Sequence, residues 1–446
     1  MAEMALDASD AKPARPERLD RRPGAEQEHL ALHGGPKTRT RPLPRRALFG
    51  EAEKAAAVAM FDAAIASGEA FGYNGPEEEA YCREFAAALG GGYADAVNSG
   101  SSAVYVALKA LGVEPFREVI CPAITDPGGI MPVPLLNCIP VVADARPGSY
   151  NVGPEQVAAC LSDRTAAIVV AHIAGEPVDM DPILDLARAR GIPVVEDCAQ
   201  SHGATYRGKP VGTLGDIGAF STMSGKHHAT GAQGGVVFTR DEALYWAARR
   251  ASDRGKPFGL EDAGGTVLAS LNLNLNDLAA AIGRVQLTRL AGIVEGRRRV
   301  GAALAAGLAR RSRAVSPGWV PPGAEASFWF MRLHVDTTRL TVDGDTFARA
   351  LGAEGLPVNP TYRAALQANA PWLLRRHAFG TSSYPWSAPE YRAAGGDPEL
   401  RSFCPNAIEV LASDFNLAIH ERWGEDEVED TLAAIEKLER AYLRAP

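Results

Sequence analysis

The chain has 446 residues, of which 46% are hydrophobic and 22% are charged, and its formal net charge is −8 at pH 7. A chain of this length can bury a substantial core and form two or three domains, while its acidic balance argues against a nucleic-acid partner. No apolar run approaches the roughly 20 residues that a membrane-spanning helix needs, so we expect no membrane partner either.

The N-terminal residues and the cysteines indicate the cellular compartment of the protein. Residues 1 to about 28 are rich in Pro, Arg and Glu and lack an apolar signal core, which is typical of a disordered tail and not of a secretory signal. The scattered cysteines show no paired metal-ligand spacing, so we expect a reduced, cytoplasmic protein without a metal site. There are six of them: Cys82, Cys121, Cys138, Cys160, Cys198 and Cys404.

Strand and helix patterns alternate from about residue 95 to 240, which predicts an α/β fold with a mostly parallel sheet. Early in this region, small polar residues at 98–102 (Asn-Ser-Gly-Ser-Ser) precede an apolar helical run at 104–111. Free backbone N–H groups and the positive end of a helix meet at such a point, and anions bind there. Taken alone, an ordinary Ser-capped helix is the better interpretation of this motif.

One βαβ unit is clear in the pattern. The apolar run 167–171 is followed by Asp181 as the predicted N-cap, Pro182 at the first helical position and Gly191 as the end of the helix. A second apolar run, 192–195, then predicts a buried strand that ends at Asp197.

Asp197 and Lys226 carry the first chemical hypothesis. Open α/β sheets bind ligands at the carboxyl ends of their strands, and a carboxylate there can keep a pyridine nitrogen protonated. Lys226 follows a short strand at 218–221 and a small Ser224-Gly225 pair, and a partly buried lysine can condense with an aldehyde. Each residue alone is more often a cap or a solvated charge, but together they predict a pyridoxal phosphate site.

The remaining chain predicts a smaller second domain. A helical pattern runs from about 277 to 310 and another from Asp426 to about Leu443, while 368–403 is rich in Trp, Tyr, Pro and Gly and lacks periodicity. That insertion is interpreted either as a lid over the substrate or as a long surface loop. We expect a tail and arm at 1–45, a large cofactor-binding domain at 46–310 and a small C-terminal domain at 311–446.

Several separated motifs occur in the order typical of one known family. With these motifs the chain resembles the DegT/DnrJ/EryC1/StrS family of pyridoxal-phosphate-dependent sugar and cyclitol aminotransferases, and the opening residues 30–36 (Leu-Ala-Leu-His-Gly-Gly-Pro) resemble the branch that acts on keto-cyclitols. The motifs are Ser-Gly-Ser-Ser-Ala at 99–103, Glu-Asp-Cys-Ala-Gln-Ser-His-Gly-Ala at 196–204, Gly-Asp-Ile-Gly-Ala-Phe-Ser at 215–221, and Lys226 with Gly234-Gly235. The resemblance implies fold type I of these enzymes and a homodimer with shared active sites.

The resemblance also assigns site residues. It implies catalytic roles for Lys226 and Asp197 and places Asn272 across the dimer interface at the neighbour's phosphate, whereas a polar loop before a helix is the alternative for Asn272. It places His172 beside the pyridine ring; the alternative is a core histidine whose hydrogen bonds are all made inside the protein. The cofactor-binding residues implied are Gly100, Ser101, Ser102, His172, Asp197, Gln200, Ser221, Lys226 and Asn272.

Two departures from the family pattern and one further segment leave substrate questions open. Asp126 stands where the family usually has an aromatic residue that stacks on the ring, and it is interpreted as a substrate contact or as a turn acid. The residues after Lys226 (His227-His228) contain one more position than is usual, so the downstream count would put His227 at the lysine position. The segment 70–75, with Tyr73, is a further candidate for the substrate pocket.

The sequence therefore predicts an aminotransferase that moves an amino group from glutamate or glutamine to a keto-sugar or keto-cyclitol, in aminoglycoside-like or amino-sugar biosynthesis. The upstream count favours Lys226, because a one-residue insertion in the following loop is easily absorbed. A dehydratase that uses His227 and a catalytically silent cofactor-binding protein remain alternatives. A nicotinamide-dependent dehydrogenase is disfavoured because no Gly-x-Gly-x-x-Gly turn joins a first strand to a helix.

Overall fold

The computed structural model describes residues 29–400 and 402–444. Its larger part is built on nine strands, which are β1 (Tyr93–Val97), β2 (Glu118–Pro122), β3 (Ile139–Ala143), β4 (Thr165–Ala171), β5 (Val194–Asp197), β6 (Thr205–Tyr206), β7 (Lys209–Pro210), β8 (Ile217–Ser221) and β9 (Gly235–Thr239). Seven of them form one sheet in the order β1-β9-β8-β5-β4-β2-β3. Strands β8, β5, β4, β2 and β3 run parallel, and β9 is antiparallel to both of its neighbours.

Helices cover both faces of this sheet, and strands β2, β3, β5, β8 and β9 are therefore buried along their whole length. The helices of this larger part are α1 (Glu51–Ser67), α2 (Pro76–Ala88), α3 (Gly100–Ala110), α4 (Pro132–Leu135), α5 (Pro154–Cys160), α6 (Met180–Arg188), α7 (Glu242–Ser252) and α8 (Asp277–Arg311). The predicted helix from about 277 to 310 is confirmed as α8, which leads into the C-terminal part.

The predicted βαβ unit is present as β4, α6 and β5, but the predicted N-cap was wrong. Helix α6 begins at Met180 with Asp179 as its N-cap, so Asp181 lies inside the first turn. There the carboxylate of Asp181 pairs with Arg207 at 2.6 Å, and a negative charge in the first turn is favourable next to the helix dipole.

The C-terminal part has its own antiparallel sheet, in the order β10-β12-β14-β13. Its strands and helices are β10 (Val315–Pro317), β11 (Ala324–Glu325), β12 (Met331–Val335), α9 (Gly344–Ala353), β13 (Val358–Asn359), α10 (Pro371–Leu374), α11 (Pro389–Ala393), α12 (Pro405–Ser413), β14 (Asp414–Leu417) and α13 (Glu425–Tyr442). Strand β11 instead pairs with β6, which joins β7 in a separate three-stranded sheet. The expected closing helix is confirmed as α13.

The N-terminal arm packs against the C-terminal part. Glu354, which is buried, accepts hydrogen bonds from the backbone N–H of Ala31 and Thr38 at 2.9 Å each and pairs with Lys437 at 2.8 Å. Arg39 reaches Glu427 at 2.7 Å. These buried polar contacts fix the arm on α9 and α13.

The irregular insertion covers the β3 edge of the large sheet. The Ser402 hydroxyl accepts the free backbone N–H of Val142 on that strand at 3.1 Å, and the Tyr391 hydroxyl donates to Glu118 at 3.0 Å. A covered edge strand is protected from pairing with other chains. The segment lies at the protein surface, where most of its described residues are exposed or half-buried, and it packs on this sheet edge. Within the described ranges, no helix combines the length and the apolar character needed to cross a membrane.

Candidate active site

A cavity of about 240 Å³ lies where the carboxyl ends of β5 and β8 meet the N-terminus of α3. This is the position at which an open parallel sheet binds its ligand. Residues from five separate segments of the chain line it: Ser99, Gly100, Ser101, Val104, Asp126, Gly128, Gly129, Asp197, Ala199, Ser221, Met223, Lys226 and Gln233.

One end of the cavity is formed by hydroxyl groups and a helix N-terminus. Ser99 caps α3 by accepting the backbone N–H of Ser102 at 3.0 Å, so the helix begins at the cavity wall. A Cβ on Gly100 would lie 2.6 Å from the Cβ of Ser221, and only glycine therefore allows α3 to approach β8 so closely. Ser101 and Ser221 both line the resulting anion-binding corner, whereas the hydroxyl of Ser102 donates to Asn98 at 2.6 Å.

The other end of the cavity is formed by Asp197. The side chain is 7% exposed, and one of its oxygens accepts the backbone N–H of Ala199 at 3.0 Å. Burial raises the pKa of this carboxyl, while the Ala199 bond and the nearby Lys226 act in the opposite direction. Asp197 is thus a carboxylate that gains from a positively charged partner in the cavity.

Lys226 is the cation of the cavity. It is 6% exposed, and burial lowers its pKa to about 8, against the opposing effect of Asp197 and Asp126. Its Nζ atom lies 3.9 Å from the centre of the Trp329 ring, and the indole N–H of Trp329 donates to the carbonyl of Gly225 at 3.0 Å. A lysine with this pKa has a substantial neutral, nucleophilic fraction near neutral pH.

The loop after Lys226 is closed by its own backbone, and Lys226 lines the cavity. Backbone hydrogen bonds from Thr222 N–H to Gly234 and from Ser224 N–H to Ala232 close the loop at 2.8 and 3.1 Å. His227 turns away from the cavity, and its Nε2 lies 3.0 Å from the carbonyl of Ser327.

Behind this loop lies a group of buried histidines. His228 contacts the Tyr81 hydroxyl at 2.6 Å, and His202 contacts the Ser221 carbonyl at 2.8 Å. Burial lowers the pKa of His202 to about 4 and the pKa values of His227 and His228 well below the usual range. All three imidazoles are therefore neutral packing groups near pH 7.

His172 and Gln200 lie near the cavity but are not among the residues that line it. Both ring nitrogens of His172 are engaged, one by Glu196 at 3.0 Å and the other by the backbone N–H of Val178 at 2.9 Å. The Gln200 amide accepts the backbone N–H of Ala174 and donates to the Tyr362 hydroxyl at 3.1 Å. These contacts fix the two side chains firmly beside the site.

Asn272 and Tyr73 lie on the protein surface, away from the cavity lining. Asn272 is exposed and accepts from the side-chain amide of Asn274 at 2.7 Å. Tyr73 is 40% exposed and accepts from Arg254 at 2.6 Å. In a single chain, these two candidates are not brought together with Asp197 and Lys226.

Asp126 does lie at the cavity, at the start of a tight Asp-Pro-Gly-Gly segment that we call the 126–129 turn. Its carboxylate is exposed and caps the turn by accepting the backbone N–H of Gly128 at 2.9 Å. A Cβ on Gly129 would lie 2.7 Å from Asp197, and one on Gly128 would lie 2.1 Å from Ser101. The glycines thus allow backbone to form the wall between the carboxylate end and the hydroxyl end.

Sequence reasoning missed this wall and Trp329. The close approach of Gly128 and Gly129 depends on side chains that are distant in the sequence, which no local pattern reports. Trp329 belongs to an aromatic run, Phe-Trp-Phe at 328–330, in a region that was assigned only to the small domain. This aromatic run near the predicted domain boundary was the feature of the sequence that could have indicated Trp329 as a site residue.

These groups fit pyridoxal phosphate. Two hydroxyls and a helix N-terminus suit a phosphate, a buried carboxylate suits a protonated pyridine nitrogen, and a lysine with lowered pKa suits an aldehyde. The glycines of the cavity leave room that a Cβ would fill. The donor set and the shape of the cavity therefore agree with the cofactor that the sequence predicted.

Comparisons with known proteins agree with this geometry. The sequence profile of the DegT/DnrJ/EryC1/StrS aminotransferase family matches residues 51–393. The L-glutamine:2-deoxy-scyllo-inosose aminotransferase of Streptomyces lividus is 35% identical over 75% of this chain and 81% of that protein. Protein MosB of Rhizobium meliloti is 41% identical, but the match spans only 44% of this chain and 38% of MosB.

The fold has close counterparts among solved structures. The X-ray structure of the aminotransferase from Psychrobacter cryohalolentis superposes with a TM-score of 0.73 at 27% identity, over 89% of this chain and 98% of that one. The predicted family and fold class are confirmed by these matches.

Proposed function

The chain belongs to the DegT/DnrJ/EryC1/StrS aminotransferase family, and on this basis we propose that it transfers an amino group from glutamine or glutamate to a keto-cyclitol or keto-sugar. The family is pyridoxal-phosphate-dependent, and we propose that this chain binds the same cofactor. The observation that carries the proposal is the meeting of Asp197 and Lys226 in one cavity with a hydroxyl-lined, anion-binding corner.

Five groups would hold pyridoxal phosphate. The Ser101 and Ser221 hydroxyls and the N-terminus of α3 would receive the phosphate, and Asp197 would pair with the pyridine nitrogen. Lys226 would receive the aldehyde. When bound, pyridoxal phosphate supplies an electron sink for the carbon that carries the transferred amino group.

Lys226 performs the proton transfers in this proposal. Because burial brings the pKa of Lys226 to about 8, its Nζ can accept a proton from the donor α-carbon and later release it. Trp329, whose ring lies 3.9 Å from Nζ, limits the space in which the amine can move and excludes water from that side.

Asp197 stabilises positive charge at the end of the cavity away from the hydroxyl groups. Its burial makes the bare carboxylate unfavourable, as the raised pKa indicates, so a protonated ring nitrogen is a favourable partner. An opposite charge within a few Å shifts such an equilibrium by about 1–3 pKa units.

The names of the relatives support the substrate class. The Streptomyces lividus relative is named for glutamine as donor and 2-deoxy-scyllo-inosose, a keto-cyclitol, as acceptor. We therefore propose glutamine as the preferred donor and a six-membered carbocyclic ketone as the acceptor, in the biosynthesis of a secondary metabolite.

We further propose that two copies form a homodimer with shared active sites. Helix α1 exposes Val58, Phe61 and Ile65 at 48%, 51% and 79%, and an apolar face of this kind is typical of a surface that a partner covers. Exposed Leu271 lies beside Asn272, so an interface that includes this segment could bring Asn272 to the partner's cavity. The six cysteines are all unpaired, which supports a reducing compartment such as the cytoplasm.

The direct test is a two-stage reaction with purified protein. Glutamine is first added to the pyridoxal-phosphate-loaded enzyme without acceptor, and the α-keto acid formed is measured. A panel of keto-cyclitols and keto-sugars is then added, and the aminated product is identified by mass spectrometry. We expect about one equivalent of keto acid per active site and then amine transfer to a cyclitol ketone. Loss of water from the substrate without amine transfer would contradict the proposal.

A further inference from the structure

The 126–129 turn is held rigidly at the mouth of the cavity. Before it, the backbone N–H of Thr125 donates to Ala365 at 2.9 Å, and the backbone N–H of Gln367 donates to Ala123 at 2.8 Å. The side-chain amide of Gln367 also donates to the Thr125 carbonyl at 2.9 Å. Within the turn, Gly128 and Gly129 lie against the cavity walls without room for a Cβ. The carboxylate of Asp126 therefore stays at a fixed position.

This carboxylate has capacity for another partner. One oxygen caps the turn through the backbone N–H of Gly128. Within the part of the chain that the structure describes, no lysine, arginine or histidine forms an ion pair with Asp126. Asp126 is exposed and lines the cavity, and it lies close enough to act electrostatically on both Lys226 and Asp197.

The charged side chains that line the cavity carry more negative than positive charge. Among the lining residues, Asp126 and Asp197 are the acids, Lys226 is the cation, and no arginine is present. Under the proposed function, Asp197 serves the ring nitrogen and Lys226 serves the reacting carbon. Asp126 is the charge that remains to meet a part of the substrate away from the ketone.

From this arrangement we infer that Asp126 determines acceptor specificity: it selects a ketone whose ring already carries a protonated amine and disfavours phosphate esters and nucleotide-linked sugars. The inference rests on the proposed function and names its substrate class. A fixed carboxylate attracts an ammonium group and repels a phosphate, and charge-assisted hydrogen bonds are stronger than neutral ones. Negative charge placed against the wrong ligand is an effective source of discrimination.

Equilibrium binding tests the inference independently of turnover. The probe is a cyclitol with a dimethylamino group, which is protonated at pH 7 but cannot condense with an aldehyde, compared with the cyclitol that has a hydroxyl at the same position. Calorimetric titration of the pyridoxal-phosphate-loaded enzyme should give a Kd about tenfold lower for the amine. The preference should weaken as salt is raised, because exposed charges are screened.

The substitution Asp126→Asn is the matched change, because asparagine can still cap the turn but has no charge. We expect the tenfold preference to disappear in this variant. Asp343→Asn is the control, since Asp343 caps α9 in the same way through Thr346 at 2.8 Å and is far from the cavity lining. It should keep the preference.

Each outcome decides the inference. Equal affinity of the wild-type enzyme for the two cyclitols would overturn it, and so would a preference that survives Asp126→Asn. A tighter Kd for a cyclitol phosphate than for the cyclitol would also overturn it. Failure of the glutamine half-reaction would refute the proposed function, whereas the binding comparison would still decide the role of Asp126.

Discussion

The two faces of the large sheet at the end of β5 hold similar acids in contrasting surroundings. On one face, Glu196 accepts four hydrogen bonds at 2.7–3.0 Å, which come from His172 and from the backbone N–H groups of Gly212, Leu214 and Gly215. On the other face, Asp197 borders the cavity and, among the residues that the structure describes, accepts one hydrogen bond, from the backbone N–H of Ala199.

The difference shows how to separate structural acids from functional ones. Glu196 and His172, with Cys198, form the group whose geometry could hold a metal ion, yet the oxygens of Glu196 and both nitrogens of His172 already have partners. Asp197 has unused hydrogen-bonding capacity beside a lysine whose pKa is lowered to about 8. A buried titratable group with incomplete partners is the stronger sign of a ligand site.

The largest effect on activity is expected from Lys226→Ala, which lies on the same face of the sheet as Asp197 and the cavity. Because the variant lacks the amine that moves the proton, amine transfer should fall by about 10³-fold or more, as loss of a general acid–base group predicts. The thermal midpoint should not fall, because burial disfavours the charged Lys226 amine in the folded protein and the variant removes it. Turnover and thermal denaturation check both points, with exposed Lys209→Ala as the control. Transfer at the wild-type rate would show that Lys226 does not act in the reaction.

Asp197→Asn should reduce turnover by about 10²-fold while the cofactor still binds. The neutral amide no longer favours a protonated ring nitrogen, which removes an interaction of about 1–3 pKa units. Steady-state rates and a pH titration of the cofactor absorbance measure the two effects. If the rate and the titration are both unchanged, Asp197 has no electronic role.

Glu196→Gln should lower stability and leave the chemistry intact. The new amide N–H₂ would face backbone donors that now meet a carboxylate, and a lost buried hydrogen bond to a charged group costs about 1.5–3 kcal/mol. Urea denaturation measures the free energy of unfolding, and active-site titration gives the rate per folded enzyme. A variant of wild-type stability but low rate would reverse the comparison between Glu196 and Asp197.

A smaller effect concerns the pH dependence of Lys226 in the cofactor-free protein. Only the neutral amine is methylated by formaldehyde and a reductant, so the rate at Lys226 should rise with pH and level off above its pKa of about 8. Peptide mass spectrometry of samples modified at a series of pH values measures the rate at Lys226. A rate that is still rising toward the ordinary lysine value of about 10.4 would show that the pKa of Lys226 is not lowered.

Local patterns were sufficient for the sheet and for part of the site. Asp197 lies at the end of an apolar run that predicts a buried strand, and Lys226 follows the next strand in the sheet after a short connection. The long helix α8 was predictable because its apolar pattern persists over many turns. Such features depend on neighbours in the sequence.

Contacts between distant segments were not predictable. Trp329 reaches Lys226 from the start of the C-terminal part, and Gly129 packs directly against Asp197. The sequence left His172 between a ring contact and a core histidine, because only the structure reveals that Glu196 and Val178 occupy both of its nitrogens. Periodicity reports which face of an element is buried but not what it meets.

The central claim is that Lys226 is the residue that binds the cofactor covalently. Borohydride reduction of the pyridoxal-phosphate-loaded protein, followed by peptide mass spectrometry, locates the attachment directly. We predict a single modified residue, Lys226, with no modification in the Lys226→Ala variant. Modification of a different lysine, or an active loaded enzyme with no modified residue, would contradict the account.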